Sequence, residues 1–460
     1  MTAVISFCGL SLLLLVGKML RVATPMLQKL YLPASVIGGT IGLLLLTFGG
    51  GWIPTEWTAG WEKLPGFLIN IVFASLFLGS PLPKLRGMGA KIAPQVCFGQ
   101  IVAWGQYTVG LGLTAVLLLP FFGVPMLFGN LLEIGFEGGH GTVGGLTETF
   151  QKVGWQEGKD LGLAVATAGM VLGIVVGMAL INWGIRRGYV SRIRTFHDQT
   201  PLEKRGFYPP DQQPPAGKQT VFSDSVDSLA IHIALIGLAV GVGYLLQQGL
   251  QWGNHFLPQS AQEMRLLESF PLFPFCMIGG LLIQVFLQYS DIHIFVDHGQ
   301  MQRIAGASLD FLVVSAIASM QLAFVAAYWL PLTLLILAGT LWNLFCVLFL
   351  GPRIFKEAWF ERSLAEFGQS MGVTATGLLL LRTVDPDSET CAASMFGYKQ
   401  LFHEPFMGGG LWTSLAVPLV VLVGGGWVWL IGAAMLLFWF LVWGFFLRVK
   451  KGENDGILES

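Results

Sequence analysis

The segment Pro33-Ala34-Ser35-Val36-Ile37-Gly38-Gly39 returns, with the same P-x-x-x-I-G-G spacing, as Pro274-Phe275-Cys276-Met277-Ile278-Gly279-Gly280. At nearly the same offset, Leu68-Ile69-Asn70 through Leu82 runs parallel to Ser308-Leu309-Asp310 through Leu322, which pairs Asn70 with Asp310 and Ser75 with Ser315. Phe136 and Gly141 then recur as Phe367 and Gly372. A chain that repeats itself is constrained to fold as two similar units. In a strongly apolar chain this is the pattern of secondary transporters, whose site forms where the repeats meet.

The solvent is legible from composition. Charged residues are 12% and hydrophobic residues 54% of the chain, against about 25% charged in a soluble domain. Apolar runs near 4–23, 33–53, 65–83, 94–119 and 161–185 are each read as helical spans. Runs near 226–249, 270–289, 306–327, 331–350 and 404–423 match them in the second half, and Trp427 to Leu447 adds one more. The fold class expected is an all-α polytopic membrane protein with two inverted five-helix repeats and an extra C-terminal helix. The start of the chain lacks a basic n-region and a clean cleavage site, so 4–20 reads as a first span. A net charge of −1 gives no footprint for nucleic acid. The five cysteines, Cys8, Cys97, Cys276, Cys346 and Cys391, show no C-x-x-C spacing and read as small core residues.

Lys and Arg set the expected orientation. With the N-terminus outside, Lys18, Arg21, Lys29, Lys84, Arg86, Lys91, Arg186, Arg187, Arg192, Arg194, Arg353, Lys356 and Arg362 fall inside. Arg448, Lys450 and Lys451 then end the chain inside, and Lys63, Lys152, Lys159 and Arg265 stay outside. The expected domains are a first repeat over 1–189, a cytoplasmic linker over 190–224, a second repeat over 225–423 and an additional helix and tail over 424–460. Pro209-Pro210-Asp211-Gln212-Gln213-Pro214-Pro215 makes the linker read as extended and mobile.

Two Gly/Thr-rich stretches, about 130–150 and 363–382, are apolar but poor helix formers, and read as broken or re-entrant segments. Backbone freed at membrane depth must be buried in protein or line a wet cavity. The first holds Glu137-Gly138-Gly139-His140-Gly141-Thr142, whose amides suit a carboxylate and whose carbonyls and hydroxyl suit Na⁺. His140 could shuttle protons or only hold the loop. A lone His without a Cys/His cluster is not a zinc site. The second stretch offers Gln369, Ser370, Gly372, Thr374 and Thr376. Arg382 fits a snorkelling end-of-span residue, a partner of Asp385, or a bidentate clamp on a carboxylate. Asp310 fits a cation ligand, an amino-group partner or an interfacial residue, with Asn70 as its repeat mate. No nucleophile–base pair or nucleotide-binding motif appears, so no enzyme is expected.

These residues resemble the bacterial sodium/glutamate symporter family. Glu137-Gly138-Gly139-His140-Gly141-Thr142 is similar to that family's Ser-Gly-Gly-His-Gly-Thr loop, and Ala164-Val165-Ala166-Thr167-Ala168-Gly169-Met170-Val171-Leu172-Gly173 to the helix after it. Gly372-Val373-Thr374-Ala375-Thr376 resembles Gly-Ala-Thr-Pro-Thr. The resemblance implies inverted repeats each with a re-entrant loop, a homodimer in the bacterial cytoplasmic membrane, and Na⁺-coupled uptake of glutamate or a related small carboxylate by alternating access. It implies no cofactor beyond Na⁺ as coupling ion. On this reading residues 137–142, Gln369, Ser370, Gly372, Thr374, Thr376 and Arg382 bind substrate. Asn70, Asp310, Ser315, Thr142 and Thr374 bind Na⁺. Glu137 departs from the family's Ser and puts glutamate itself in question. The alternatives are another organic anion, or proton coupling or cation exchange through Glu137 and His140.

Overall fold

The structure is a computed structural model that describes residues 2–49, 53–58, 60–80, 89–190, 200–253, 270–386 and 389–457. Lys84, Arg86, Arg192, Arg194 and Arg265 lie outside the described residues. The described residues form helices and no strands. Among them, 7 helices are long and apolar enough to cross a membrane.

The first half supplies α1 (Thr2–Ala23), α2 (Ala34–Phe48), α3 (Leu64–Ser75), α4 (Gly89–Leu113), the short α5 (Leu131–Phe136) and α6 (Gly139–Gly145), and α7 (Gly158–Arg186). The second half supplies α8 (Ser228–Trp252), α9 (Phe273–Tyr289), α10 (His298–Ala318), α11 (Trp329–Phe345), α12 (Trp359–Val384), α13 (Ala392–His403) and α14 (Leu411–Val423). The last helix is α15 (Gly425–Ile457), which packs along α4. Two expected boundaries shift. The run placed at 306–327 is helical from His298 and stops at Ala318. The run placed at 404–423 begins as a helix only at Leu411, because 404–410 is non-helical and α13 precedes it.

Two bundles result, each drawing on both halves. Helices α1, α2, α3, α8, α9 and α10 pack together, and α4, α5, α6, α7, α11, α12, α13, α14 and α15 form the other group. The repeated Ile-Gly-Gly is a packing device. A Cβ on Gly38 would lie 2.4 Å from the Leu13 carbonyl oxygen, and one on Gly279 2.3 Å from that of Ala239. Small residues let membrane helix backbones approach this closely. The ends of α4 and α11 also match: each widens into a π-turn, Thr114–Leu118 and Cys346–Leu350. Pro120 and Pro352 follow, and a proline, lacking an N–H and clashing with the carbonyl four residues back, is accommodated by a wider turn.

Helix α7 is the ruler against which the broken segments are measured. Its stretch from Gly162 to Gly184 covers about 33 Å at 1.5 Å per residue, close to a hydrocarbon core of about 30 Å. Leu131 and Val143 both pack on Gly162, while Phe136 packs on Gly169, so α5 runs along α7 and α6 turns back beside it. Helix α12 does the same from the opposite face. Phe360 packs on Gly184, Met371 on Gly169 and Leu380 on Gly177. Its two arms, 359–371 and 374–384, lie side by side: a Cβ on Gly368 would sit 2.6 Å from Gly377 Cα. The reversal falls at Gly372 (φ −160°, ψ 43°) and Val373 (φ 61°, ψ 172°). A β-branched residue there is strained by about 1–3 kcal/mol.

The connection between halves is held at both of its described ends, where mobility was expected. The short helix Pro201–Arg205 ends in carbonyls that accept from Lys18 Nζ (Arg205 O 3.2 Å, Gly206 O 2.9 Å). Cations are favoured at a helix C-terminus. Further on, Asp297, the N-cap of α10, accepts from Gln300 N (2.9 Å) and Lys218 N (3.0 Å).

Candidate functional site

The two reversals meet. Gly139 has φ +65°, and a Cβ on it would lie 2.5 Å from Val373 Cγ1. Beside this contact, at the boundary of the two bundles, is a cavity of about 420 Å³, within the range of small-molecule sites, about 300–1,000 Å³. One wall is Ser35, Val36, Ile69, Phe73 and Asp310; the other is built from 137–142, Gln369, 372–375, Glu404 and Gly408. Glu137, Asp310 and Glu404 are among its lining residues, the Glu137 side chain itself being buried behind the tip, and no lysine or arginine lines it.

Helix α6 seals one side. Positions Gly141, Gly144 and Gly145 pack against Leu309, Pro65 and Ile69. Toward the other side, Gln302, Arg303, Gly306 and Asp310 on α10 are exposed, as is Ala375 on α12. Helices α12 and α13 make their main contacts within their own bundle. The bundles therefore part on the Arg186 face and close on the Trp61 face.

The carboxylate of Glu137 is fully engaged. Its Oε1 accepts from Ser370 Oγ at 3.0 Å and its Oε2 from His403 Nε2 at 2.9 Å. The His403 tautomer follows from its neighbours. Trp104 Nε1, a donor only, bonds Gln100 Oε1 at 2.9 Å, which turns Gln100 Nε2 onto His403 Nδ1 at 3.2 Å. Nδ1 must then accept, and the ring proton sits on Nε2, facing Glu137. His140 is fixed likewise. Thr167 Oγ1 donates to Leu163 O, so it accepts from His140 Nε2, 2.9 Å away.

The second tip is tied to α13. Gln369 Oε1 accepts from Lys399 Nζ and Gln400 Nε2, both at 2.9 Å. Thr374 Oγ1 accepts from Gln400 Nε2 and donates to Glu404 Oε1, each at 2.9 Å. Thr142 Oγ1 reaches Gly408 O at 3.4 Å. Glu133, completely buried, takes three donors: Tyr107 OH (2.5 Å), Thr413 Oγ1 (2.8 Å) and Gly408 N (2.9 Å). That clasp holds the 407–410 turn, where Gly408 and Gly409 both have positive φ, against the first tip.

Of the residues expected from sequence, Glu137, Gly138, Gly139, His140, Gly141, Thr142, Gln369, Gly372, Thr374 and Asp310 line the cavity. Others stand apart from it. Ser370 is behind the tip, its carbonyl accepting from Gln106 and Asn343. Thr376 Oγ1 donates back to Gly372 O. Ser315 bonds Leu312 O, and Asn70 bonds Gly66 O, each within its own helix. Arg382 is exposed in the last turn of α12, away from the lining residues, and Asp385 accepts from Glu389 and Thr390 instead. Glu133, Lys399, Gln400, His403, Glu404 and Gly408 were not anticipated. The signal for those between 399 and 408 is Pro405 with Gly408-Gly409-Gly410 inside an apolar run, while Glu133 lies within the 130–150 stretch.

The family model for the sodium/glutamate symporter matches residues 1–381. The chain belongs to the sodium/glutamate symporter family. It is therefore a multi-span membrane transporter of a Na⁺-coupled family and not an enzyme. A search of curated proteins returns no match. Among solved structures, the sodium proton antiporter MjNhaP1 from Methanocaldococcus jannaschii aligns over 95% of this chain and 100% of its own, at 15% identity and a TM-score of 0.36. The residues from Lys399 to Gly408 that complete the site follow the stretch that the symporter family model matches.

Proposed function

We propose that this symporter-family member couples an inward Na⁺ gradient to uptake of glutamate or a related small carboxylate by alternating access. The observation that carries this reading is the meeting of two helical reversals, one from each half, over a single cavity between two bundles. We read both reversals as re-entrant, and the two halves as inverted repeats; the matched Ile-Gly-Gly packing and π-turns support that. Amide and hydroxyl groups of 137–142 and 372–374, with Gln369, are the proposed substrate contacts. Asp310, Glu404, Thr142 and Thr374 are the proposed cation contacts. A cavity lined by Asp310 and Glu404, with no lysine or arginine in its lining, needs mobile cations before it can take an anion. Ion binding would thereby raise substrate affinity, and by linkage substrate raises ion affinity equally.

With the N-terminus outside a bacterial cytoplasmic membrane, the open side of the cavity is cytoplasmic. Rocking the bundles about α6 would exchange the sealed side. A homodimer is proposed from the family resemblance. The test is labelled glutamate uptake into proteoliposomes under an inward Na⁺ gradient, with K⁺ as control. Na⁺-dependent accumulation is expected. The acidic lining also favours a second reading, proton coupling or cation exchange. Flux that follows a pH gradient and ignores Na⁺ would replace the first reading with it.

A further inference from the structure

Lys399 sits where a membrane protein seldom keeps a lysine. Its side chain is 0% exposed, between the second tip and α4. Nζ lies 2.6 Å from Glu366 Oε1 and 2.9 Å from Gln369 Oε1. Room for it comes from Gly99, where a Cβ would lie 2.4 Å from Lys399 Cε and 2.7 Å from Glu366 Oε1. Glutamine amides bound the pair on both sides. Glu366 Oε2 accepts from Gln95 Nε2 at 3.1 Å, and Gln400 Oε1 is buried without a hydrogen-bond partner.

A carboxylate and an amide oxygen converging on one positive charge at N···O distances of 2.6 and 2.9 Å are two of the roughly six oxygens that surround a small hard cation. We propose that the Lys399 ammonium is a tethered cation occupying a position that a mobile coupling cation would otherwise fill. A single carboxylate buried at this depth cannot stay charged alone. Here the positive charge is covalent, so it costs no ion per cycle and does not dissociate. Because Gln369 is both a ligand of Nζ and a lining residue of the cavity, the fixed charge orients one substrate-facing amide directly. The chain would thus load one cation fewer than the same fold with a neutral residue at 399. This rests on the proposed cation coupling for its meaning in transport, but its test needs no transported solute.

The test is the melting temperature of purified protein against Na⁺ concentration, with choline holding ionic strength constant. A ligand that binds only the native state stabilises it in proportion to the logarithm of its concentration, so the slope counts bound ions. Lys399→Ala is expected to bind about one Na⁺ more than wild type by this slope, while Glu366→Gln/Lys399→Ala returns to the wild-type slope. Lys399→Gln, which keeps a donor in the space, is the second variant and should show the same gain. Equal slopes in wild type and both single variants would overturn the proposal and leave a plain structural ion pair. So would an equal gain in the double variant. A wild type with no Na⁺ response of its own would count against the coupling reading, yet the gain in the single variants would still stand.

Discussion

Glu137, on the tip of the first reversal, accepts a hydrogen bond from Ser370, beside the tip of the second, across 3.0 Å. The two halves of the chain are joined at this bond, with no solvent to replace it. Ser370→Ala is expected to lower stability by about 1–3 kcal/mol, the cost of leaving a buried acceptor short of a donor. Denaturant or thermal unfolding of the purified protein checks this. His403→Leu should cost a similar amount, and the two changes together should depart from additivity, because both donors serve one carboxylate.

Gly139→Ala meets two obstacles at once. Its φ of +65° disfavours any side chain, and the new Cβ would fall 2.5 Å from Val373 Cγ1. A loss of more than about 2 kcal/mol is expected from backbone strain and overpacking together. Val373→Gly removes both the obstructing methyl and the strained valine, and should restore part of that loss. No recovery in the double variant would mean that the tips do not meet as described.

Arg382→Ala should leave uptake within about twofold of wild type, as for a surface change away from a site. Asp310→Asn and Glu404→Gln should instead reduce initial rates by at least about tenfold, if each removes roughly 1.4 kcal/mol of transition-state or ion binding. Initial uptake rates at fixed Na⁺ decide between them. Wild-type rates in Glu404→Gln would remove that residue from the proposed cation contacts.

Asp297 lies outside the membrane-spanning segments and invites a pH experiment. Burial pushes its carboxyl upward, but backbone N–H groups of Gln300 and Lys218 outweigh this and hold its pKa below the ordinary aspartate value. Its contribution to holding the connection is thus fully present above the unfolded value and lost as pH falls through the lower folded one. Asp297→Ala should remove about 1 kcal/mol of capping and speed proteolysis near Lys218 at neutral pH. Wild type should approach the same cleavage rate as pH falls below the ordinary aspartate value.

The membrane class and the helix breaks in both Gly/Thr-rich stretches are legible because their causes are local. Apolar runs and the clustering of glycine with threonine at 135–145 need no knowledge of partners. The choice among the readings of Arg382 is not legible in sequence, for the converse reason. Its distance from the cavity depends on α12 folding back at Val373, which sends the far arm away from the tip. His403 and Lys399 were missed because their meaning lies in Glu137 and Glu366, far away in sequence. The break at 404–410 was locally visible in Pro405 and three glycines, but a continuous apolar reading ran over it.

Glu404 and Gly408, two lining residues of the cavity's second wall, stand on the non-helical turn 404–410, after the portion that the family model matches. That turn is clasped by Glu133 through Gly408 N and Thr413 Oγ1. A shift of the turn would therefore reshape one wall of the cavity without moving either arm of α12.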